Sequence, residues 1–340
     1  MKKIRDQNLD ATRGIAALMI FLYHISIFEW TRFLWIYVNL FFLLSGYVLY
    51  DQIISIKKIK EFKIFLKARF MRIFPLFIFI LFFRIILDII NRISNQLPVS
   101  SFFEIFGNKD IFYAILLLQN FSQKSTMLFF PAWSLSSEWI TYLVISVVFL
   151  LLSFRVIPMA IFVGVLMIFL GYQIDLDYVT QYGFNYGIGA IGQGILGFGI
   201  GMLIKKNQTF LKKYRLRHKS VKILVLNIIL VILVSKLAYT PILILLTYSI
   251  FSLTLIIILE LNQNPRLHKI KKNLGQLSYG IYLWHTVVIS VYNNLLPQID
   301  KVIFFVISLF STIVCATSTY LLIEKPFLKL SRYYSSKLKV

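Results

Sequence analysis

Ten apolar stretches of membrane-spanning length, separated by short and often basic connections, constrain this chain more than any single motif in it. They fall near 9–28, 33–50, 73–90, 134–153, 156–171, 187–204, 222–235, 242–261, 277–295 and 302–323. A bilayer hydrocarbon core of about 30 Å takes roughly 20 residues of helix, and only a segment that satisfies its own backbone hydrogen bonds can cross it. The pattern predicts an all-α, polytopic membrane protein of about ten transmembrane helices, built as one transmembrane domain over 1–340. With 59% hydrophobic and 15% charged residues among 340, and a mean hydropathy of +0.78, no water-soluble core could bury so much apolar surface.

The formal net charge of +22 invites a nucleic-acid partner, but the basic residues sit in short runs between apolar spans and form no soluble basic face. Nucleic acid is excluded on that ground, and the lipid bilayer is the partner the charge fits. With the N-terminus inside, the loops on that side hold twenty-eight of the 36 Lys and Arg. The opposite loops hold Arg32, Arg92, Lys109, Lys124, Lys236 and Lys301, while Arg13 and Arg84 lie inside spans. This asymmetry predicts that both termini are cytoplasmic. Lys2, Lys3 and Arg5 run directly into a first span that is long and has no clear cleavage site, which predicts an uncleaved first helix. A single cysteine, Cys315, rules out a disulfide framework, and four histidines, two of them in basic loops, supply no metal site.

The connection 91–133 carries IFYAILLLQNF, too short to cross and therefore expected to be re-entrant or interfacial. The segment 183–201 is rich in closely spaced glycines, which suits close helix packing. No internal repeat is evident.

Polar residues inside spans are costly, so they mark candidate sites. Arg13 and His24 are eleven residues apart in the first span; at about 100° per residue they share one face, separated by roughly 16 Å along the axis. Arg13 then lies toward the cytoplasm and His24 toward the exterior. Arg69 and Arg72 stand one turn apart at the inner end of the third span and suit a phosphate-bearing donor, since guanidinium binds such oxygens in a bidentate manner. The fourth span enters from outside, placing Trp133, Ser134, Ser136 and Glu138 near the level of His24. An imidazole and a carboxylate at one depth fit an acid/base pair, with Ser136 or a backbone N–H as an oxyanion donor. Asp10, three residues before Arg13, fits a support for its guanidinium. Ser45, beside Gly46, fits either close packing or a donor to a carbonyl. Tyr279, Tyr282 and His285 form a polar stripe at the start of the ninth span that fits a donor channel or aromatic packing equally. Arg84 and Asp88 read as a structural i, i+4 ion pair, and Glu324 as a partner for a basic loop.

The segments LDATRGIAALMIFLYH, FFLLSGYVL, the R-x-x-R-I-x-P from Arg69 to Pro75, WSLSSE, LSYGIYLWH and IEKP resemble, in order and spacing, the acyltransferase-3 family of bacterial membrane O-acyltransferases. The resemblance implies a ten-helix domain in the bacterial plasma membrane. It also implies cytoplasmic acetyl-CoA as donor substrate, no permanently bound cofactor, and a cell-surface carbohydrate or glycolipid as acceptor. The family's Arg-x10-His motif maps onto Arg13 and His24, and its Arg-x-x-Arg motif onto Arg69 and Arg72. On this reading His24 and Glu138 are catalytic, Arg13, Arg69 and Arg72 hold the donor, and Asp10, Ser45, Trp133, Ser136 and Tyr282 support the site. Some relatives carry a further hydrolase-like domain; its absence here leaves room for a separate periplasmic or extracellular partner protein. A glycan or small-anion transporter and a small-metabolite acyltransferase are the competing expectations.

Overall fold

The structure is a computed structural model that describes residues 6–26, 29–152, 155–211, 239–261 and 265–338. Among these residues every regular element is helical and no strand occurs. The elements are α1 (Gln7–Ile25), α2 (Tyr37–Ile53), α3 (Ile59–Ser94), α4 (Ser100–Ile105), α5 (Asn108–Ile115), α6 (Gln123–Leu128), α7 (Ala132–Leu152), α8 (Val156–Ile174), α9 (Leu176–Tyr182), α10 (Gly187–Lys206), α11 (Gln208–Leu211), α12 (Pro241–Glu260), α13 (His268–Leu295), α14 (Lys301–Thr319) and α15 (Lys325–Ser336). The expected span 222–235 lies outside the described residues. Seven helices among them are long and apolar enough to cross a membrane: Phe33–Ile53, Ile59–Ser94, Ala132–Leu152, Val156–Ile174, Gly187–Lys206, Pro241–Glu260 and Lys301–Ser336. The two remaining long helices, α1 and α13, carry the polar residues that matter most, Asp10, Arg13 and His24 on one and Ser278, Tyr282 and His285 on the other.

Local chemistry sets several boundaries. Asp6 caps α1 by accepting hydrogen bonds from the amides of Asn8 (2.9 Å) and Leu9 (3.4 Å), and the helix stops where Ser26 turns left-handed at φ 48°. Thr240 and Asp300 cap α12 and α14 in the same way. The helix α3 runs for 36 residues, about 54 Å, and starts well before the apolar stretch at 73–90 because the Lys- and Glu-bearing turns from Ile59 are themselves good helix formers. Between α14 and α15 the chain widens into a π-turn over Tyr320–Glu324, two residues before Pro326, whose ring would clash with the carbonyl four residues back in a regular helix. The expected non-crossing segment breaks into α5 and a short 3-10 turn at Gln119–Phe121, separated by Leu117 at φ 56°.

The chain divides into two compact units, Met1–Tyr50 with Gly197–Tyr320, and Asp51–Leu196 with Leu321–Val340. In the first, α1 and α13 run parallel: Lys271 Nζ donates to Asn8 Oδ1 (2.7 Å), Gly275 lies on Asp10, and Ile25 shares an apolar cluster with Ile289. The helix α14 returns antiparallel to α13, with Trp284 Nε1 donating to Thr319 Oγ1 (3.1 Å) and the Tyr292 and Ser311 hydroxyls 2.8 Å apart. A side chain at Gly46 would place its Cβ 2.0 Å from Phe198 O, so α2 and α10 touch through their backbones there, with Ser45 buried alongside.

In the second unit α15 lies antiparallel on the start of α3, where Ser331 Oγ donates to Ala68 O (2.7 Å) and Lys67 sits over the Tyr334 ring. The glycine-rich α10 packs its first half against α8, Gly189 on Gly171, which is the close approach its composition predicts.

The α1–α13 contact makes a direct test. A Cβ at Gly275 would lie 2.7 Å from Asp10 O and 2.8 Å from its Cα, whereas at Gly107 it would meet only Asp110 Oδ2 at 3.7 Å. Gly275→Val is therefore expected to destabilise the protein by about 1–3 kcal/mol or more and Gly107→Ala to leave it unchanged, read as thermal unfolding midpoints in detergent.

Candidate functional site

His24 ends the polar face of α1 and meets a second imidazole. His285 Nε2 stands 3.1 Å from His24 Nδ1, with the ring centroids 4.7 Å apart. Each ring is also tied to its own helix one turn back, His24 Nδ1 to Ile20 O at 3.0 Å and His285 Nδ1 to Ile281 O at 3.3 Å. His285 is fully buried, and His24 keeps partial exposure. The rings meet ten residues along each helix from the tight crossing at Gly14 and Gly275, about 15 Å further on, because two parallel helices of equal rise stay in register. Tyr282 extends the cluster, its ring 5.8 Å from His285 and 5.9 Å from Phe41. Tyr23 packs edge-on to His24 at 4.7 Å. Toward the start of α1, Asp10 is buried against the backbone of Gly275, and the helical period over the eleven residues from Arg13 to His24 keeps both on one side of α1.

Sequence reasoning left His285 out of the candidate site. The two histidines are 261 residues apart, and helical periodicity within α13 cannot reveal a partner on α1. The signals were its place on the Tyr279, Tyr282 and His285 stripe, which fitted a donor channel and aromatic packing equally, and at the end of LSYGIYLWH.

In the second unit the two arginines of the Arg-x-x-Arg motif are both engaged by side chains. Arg69 Nη2 donates to Gln52 Oε1 (3.3 Å) and to Ser335 Oγ (3.1 Å), and its guanidinium lies 5.8 Å from the Phe65 ring. Arg72 Nη1 pairs with Glu324 Oε2 at 3.5 Å. Glu324 is buried, so the basic partner expected for it is an arginine of the Arg-x-x-Arg motif itself, delivered by the π-turn. The Arg84–Asp88 pair forms as expected, at 2.9 Å.

The start of α7 is built into the protein interior. Trp133, Ser134, Ser136 and Ser137 are all buried. Ser136 Oγ accepts from the Asn120 amide (3.4 Å), and Ser137 Oγ accepts from Asn120 Nδ2 (2.7 Å) while donating to Ala190 O (2.9 Å). Glu138 accepts a hydrogen bond from the Tyr142 hydroxyl one turn on. WSLSSE thus holds Asn120 to α7 through Ser136 and Ser137, with the Glu138 carboxylate one residue further on.

The model of the acyltransferase-3 family, described as an acyltransferase domain, matches residues 6–321. The chain belongs to the acyltransferase-3 family. It is an acyltransferase whose several apolar helices make it a multi-pass membrane protein. Five of the six motifs that carry the resemblance fall within the match, and IEKP begins just past its end, at Ile323. No curated protein and no solved structure matches the chain.

The Arg72–Glu324 contact can be measured. A double-mutant cycle with Arg72→Ala and Glu324→Ala, scored as unfolding free energy in mixed micelles, is expected to return a coupling of about 1–2 kcal/mol, between the values for exposed and for fully buried pairs. Additivity within about 0.3–0.5 kcal/mol would show that the two side chains do not interact.

Proposed function

We propose that this acyltransferase moves an acetyl group from cytoplasmic acetyl-CoA to a hydroxyl of a cell-surface carbohydrate or glycolipid, across a bacterial plasma membrane. The reading is carried by one observation: the imidazole of the Arg-x10-His motif, on α1, is held in a hydrogen bond to a second, buried imidazole. Such a ring is costly in a membrane and suited to moving a proton. The ten-span arrangement with both termini cytoplasmic belongs to this proposal. It makes α13 the ninth span, which then runs in the same direction as α1, in agreement with their parallel packing.

In the reaction, His24 acts as general base. The acceptor oxygen attacks the thioester carbonyl as its proton moves to the imidazole; the C–O bond forms, the C–S bond breaks, and the proton passes to the departing thiolate as CoA is released. Arg69 and Arg72 hold phosphates of CoA, with Arg72 exchanging or sharing its contact with Glu324 when the donor is present, and Arg13 keeps a donor-binding role. Glu138 keeps its catalytic role in this proposal, and Ser136, Trp133, Ser45, Asp10 and Tyr282 keep supporting ones.

Two measurements test this. Surface glycan from cells with the gene, without it, and with His24→Ala, at matched membrane levels, is expected to show ester-linked acetyl only with the intact gene. Three identical mass spectra would contradict the proposal. With radiolabelled acetyl-CoA added to inside-out membrane vesicles, Arg69→Ala and Arg72→Ala should each raise KM for acetyl-CoA about 10–100-fold, the worth of a hydrogen bond to a charged group. An unchanged KM in both would remove these arginines from the donor site.

A further inference from the structure

We propose that His285 is a positioning residue for His24: its Nε2 accepts the hydrogen of His24 Nδ1–H, fixing the tautomer that leaves the Nε2 lone pair of His24 to take the substrate proton. The inference rests on His24 being the base of the proposed acyl transfer and adds a residue to that site.

The assignment follows from what each ring nitrogen faces. A backbone carbonyl oxygen can only accept a hydrogen bond. His24 Nδ1 lies 3.0 Å from Ile20 O, and His285 Nδ1 lies 3.3 Å from Ile281 O. A bare Nδ1 in either place would set a lone pair against a lone pair, so each ring keeps its hydrogen on Nδ1 in the neutral form. The Nε2 of His285 is then bare, and it points at His24 Nδ1 from 3.1 Å. The His24 hydrogen is shared between Ile20 O and His285 Nε2. In the reverse assignment, with His285 Nε2–H donating to His24 Nδ1, both bare Nδ1 atoms would face carbonyl oxygens, losing two hydrogen bonds to keep one. Helix geometry therefore chooses the tautomer: each ring folds back on the carbonyl of its own preceding turn, and the parallel packing of α1 on α13 brings the free edge of one against the tethered edge of the other.

The chemical consequence appears when His24 Nε2 takes the acceptor proton. The O–H bond breaks, an N–H bond forms on Nε2, and the ring becomes a cation whose Nδ1–H is a stronger donor. Charge-assisted hydrogen bonds are roughly twice as strong as neutral ones, and more so away from water. His285, fully buried and anchored at Ile281, gains or loses no covalent bond; it accepts more strongly at the moment positive charge appears. The role matches that of the carboxylate in a Ser-His-Asp triad, filled here by a neutral group, which is less costly to bury than an ion.

The test compares His285→Leu, which removes the acceptor, with His285→Gln, which restores a side-chain acceptor, using radiolabelled acetyl-CoA and inside-out vesicles at matched membrane levels and unfolding midpoints. His285→Leu is expected to lower kcat about 10–100-fold, the usual loss on deleting an orienting partner, with KM for acetyl-CoA within about twofold of the parent. His285→Gln is expected to recover most of that kcat. If His285→Leu does not accumulate, His285→Met, apolar and flexible enough to fill the space, carries the same comparison. Full kcat in the apolar variant, with His24→Ala inactive, would overturn the role of His285 and leave the proposed function standing. Full activity of His24→Ala would overturn the proposed function itself. An equal loss of kcat in the apolar and Gln variants would show that His285 serves packing and would also overturn the proposal.

Discussion

The close parallel packing of α1 on α13 is the constraint on which the rest of the first unit depends. Lipid offers helices no hydrophobic reward for associating, so contact depends on close van der Waals fit and on polar groups that need a partner. Both are present. Gly14 and Gly275 let the backbones touch at Leu274 and Asp10, and the polar residues Asn8, Asp10, Ser278 and His285 are all removed from lipid by the same interface. A larger residue at either glycine would separate the helices at their crossing and, through rigid helices, misplace two imidazoles about 15 Å away. The histidine contact is thus a consequence of residues distant from it in space as well as in sequence.

The second unit holds the two arginines of the Arg-x-x-Arg motif in side-chain contacts of its own. The extension of α3 past its apolar stretch carries Arg69 and Arg72 on a rigid helix, and α15 turns back along it. Ser335 and Gln52 each accept a hydrogen bond from Arg69. Arg72 instead meets a carboxylate from a widened turn, at a distance longer than a close ion pair.

Much of this was legible in the chain. Span length and apolar runs located the helices to within a few residues wherever lipid or protein covers them on all sides, as at α7, α8 and α10. Boundaries failed where helix propensity continues beyond the apolar stretch, so α3 begins at Ile59 although its apolar run starts near residue 73. Spacing within one helix placed Arg13 with His24, and Arg84 with Asp88, because such pairs need only the helical period. It could not pair His24 with His285 or Arg72 with Glu324, since contacts between helices depend on which faces meet, and nearly uniform apolar helices record that weakly. The π-turn that delivers Glu324 also had no signal beyond Pro326. The family motifs filled part of this gap by marking LSYGIYLWH and IEKP as segments of consequence without saying what they touch.

The account depends on the two imidazoles meeting inside the membrane domain. The most direct measurement is solid-state NMR of the 15N-histidine-labelled protein in lipid bilayers, with His218 and His268 replaced by Gln so that only His24 and His285 report. The expected result is a through-space correlation between one protonated ring nitrogen of His24, Nδ1, and one bare nitrogen of His285, Nε2, with the second nitrogen of His24 bare. Two rings with no mutual correlation, or a His24 bare at Nδ1, would contradict it.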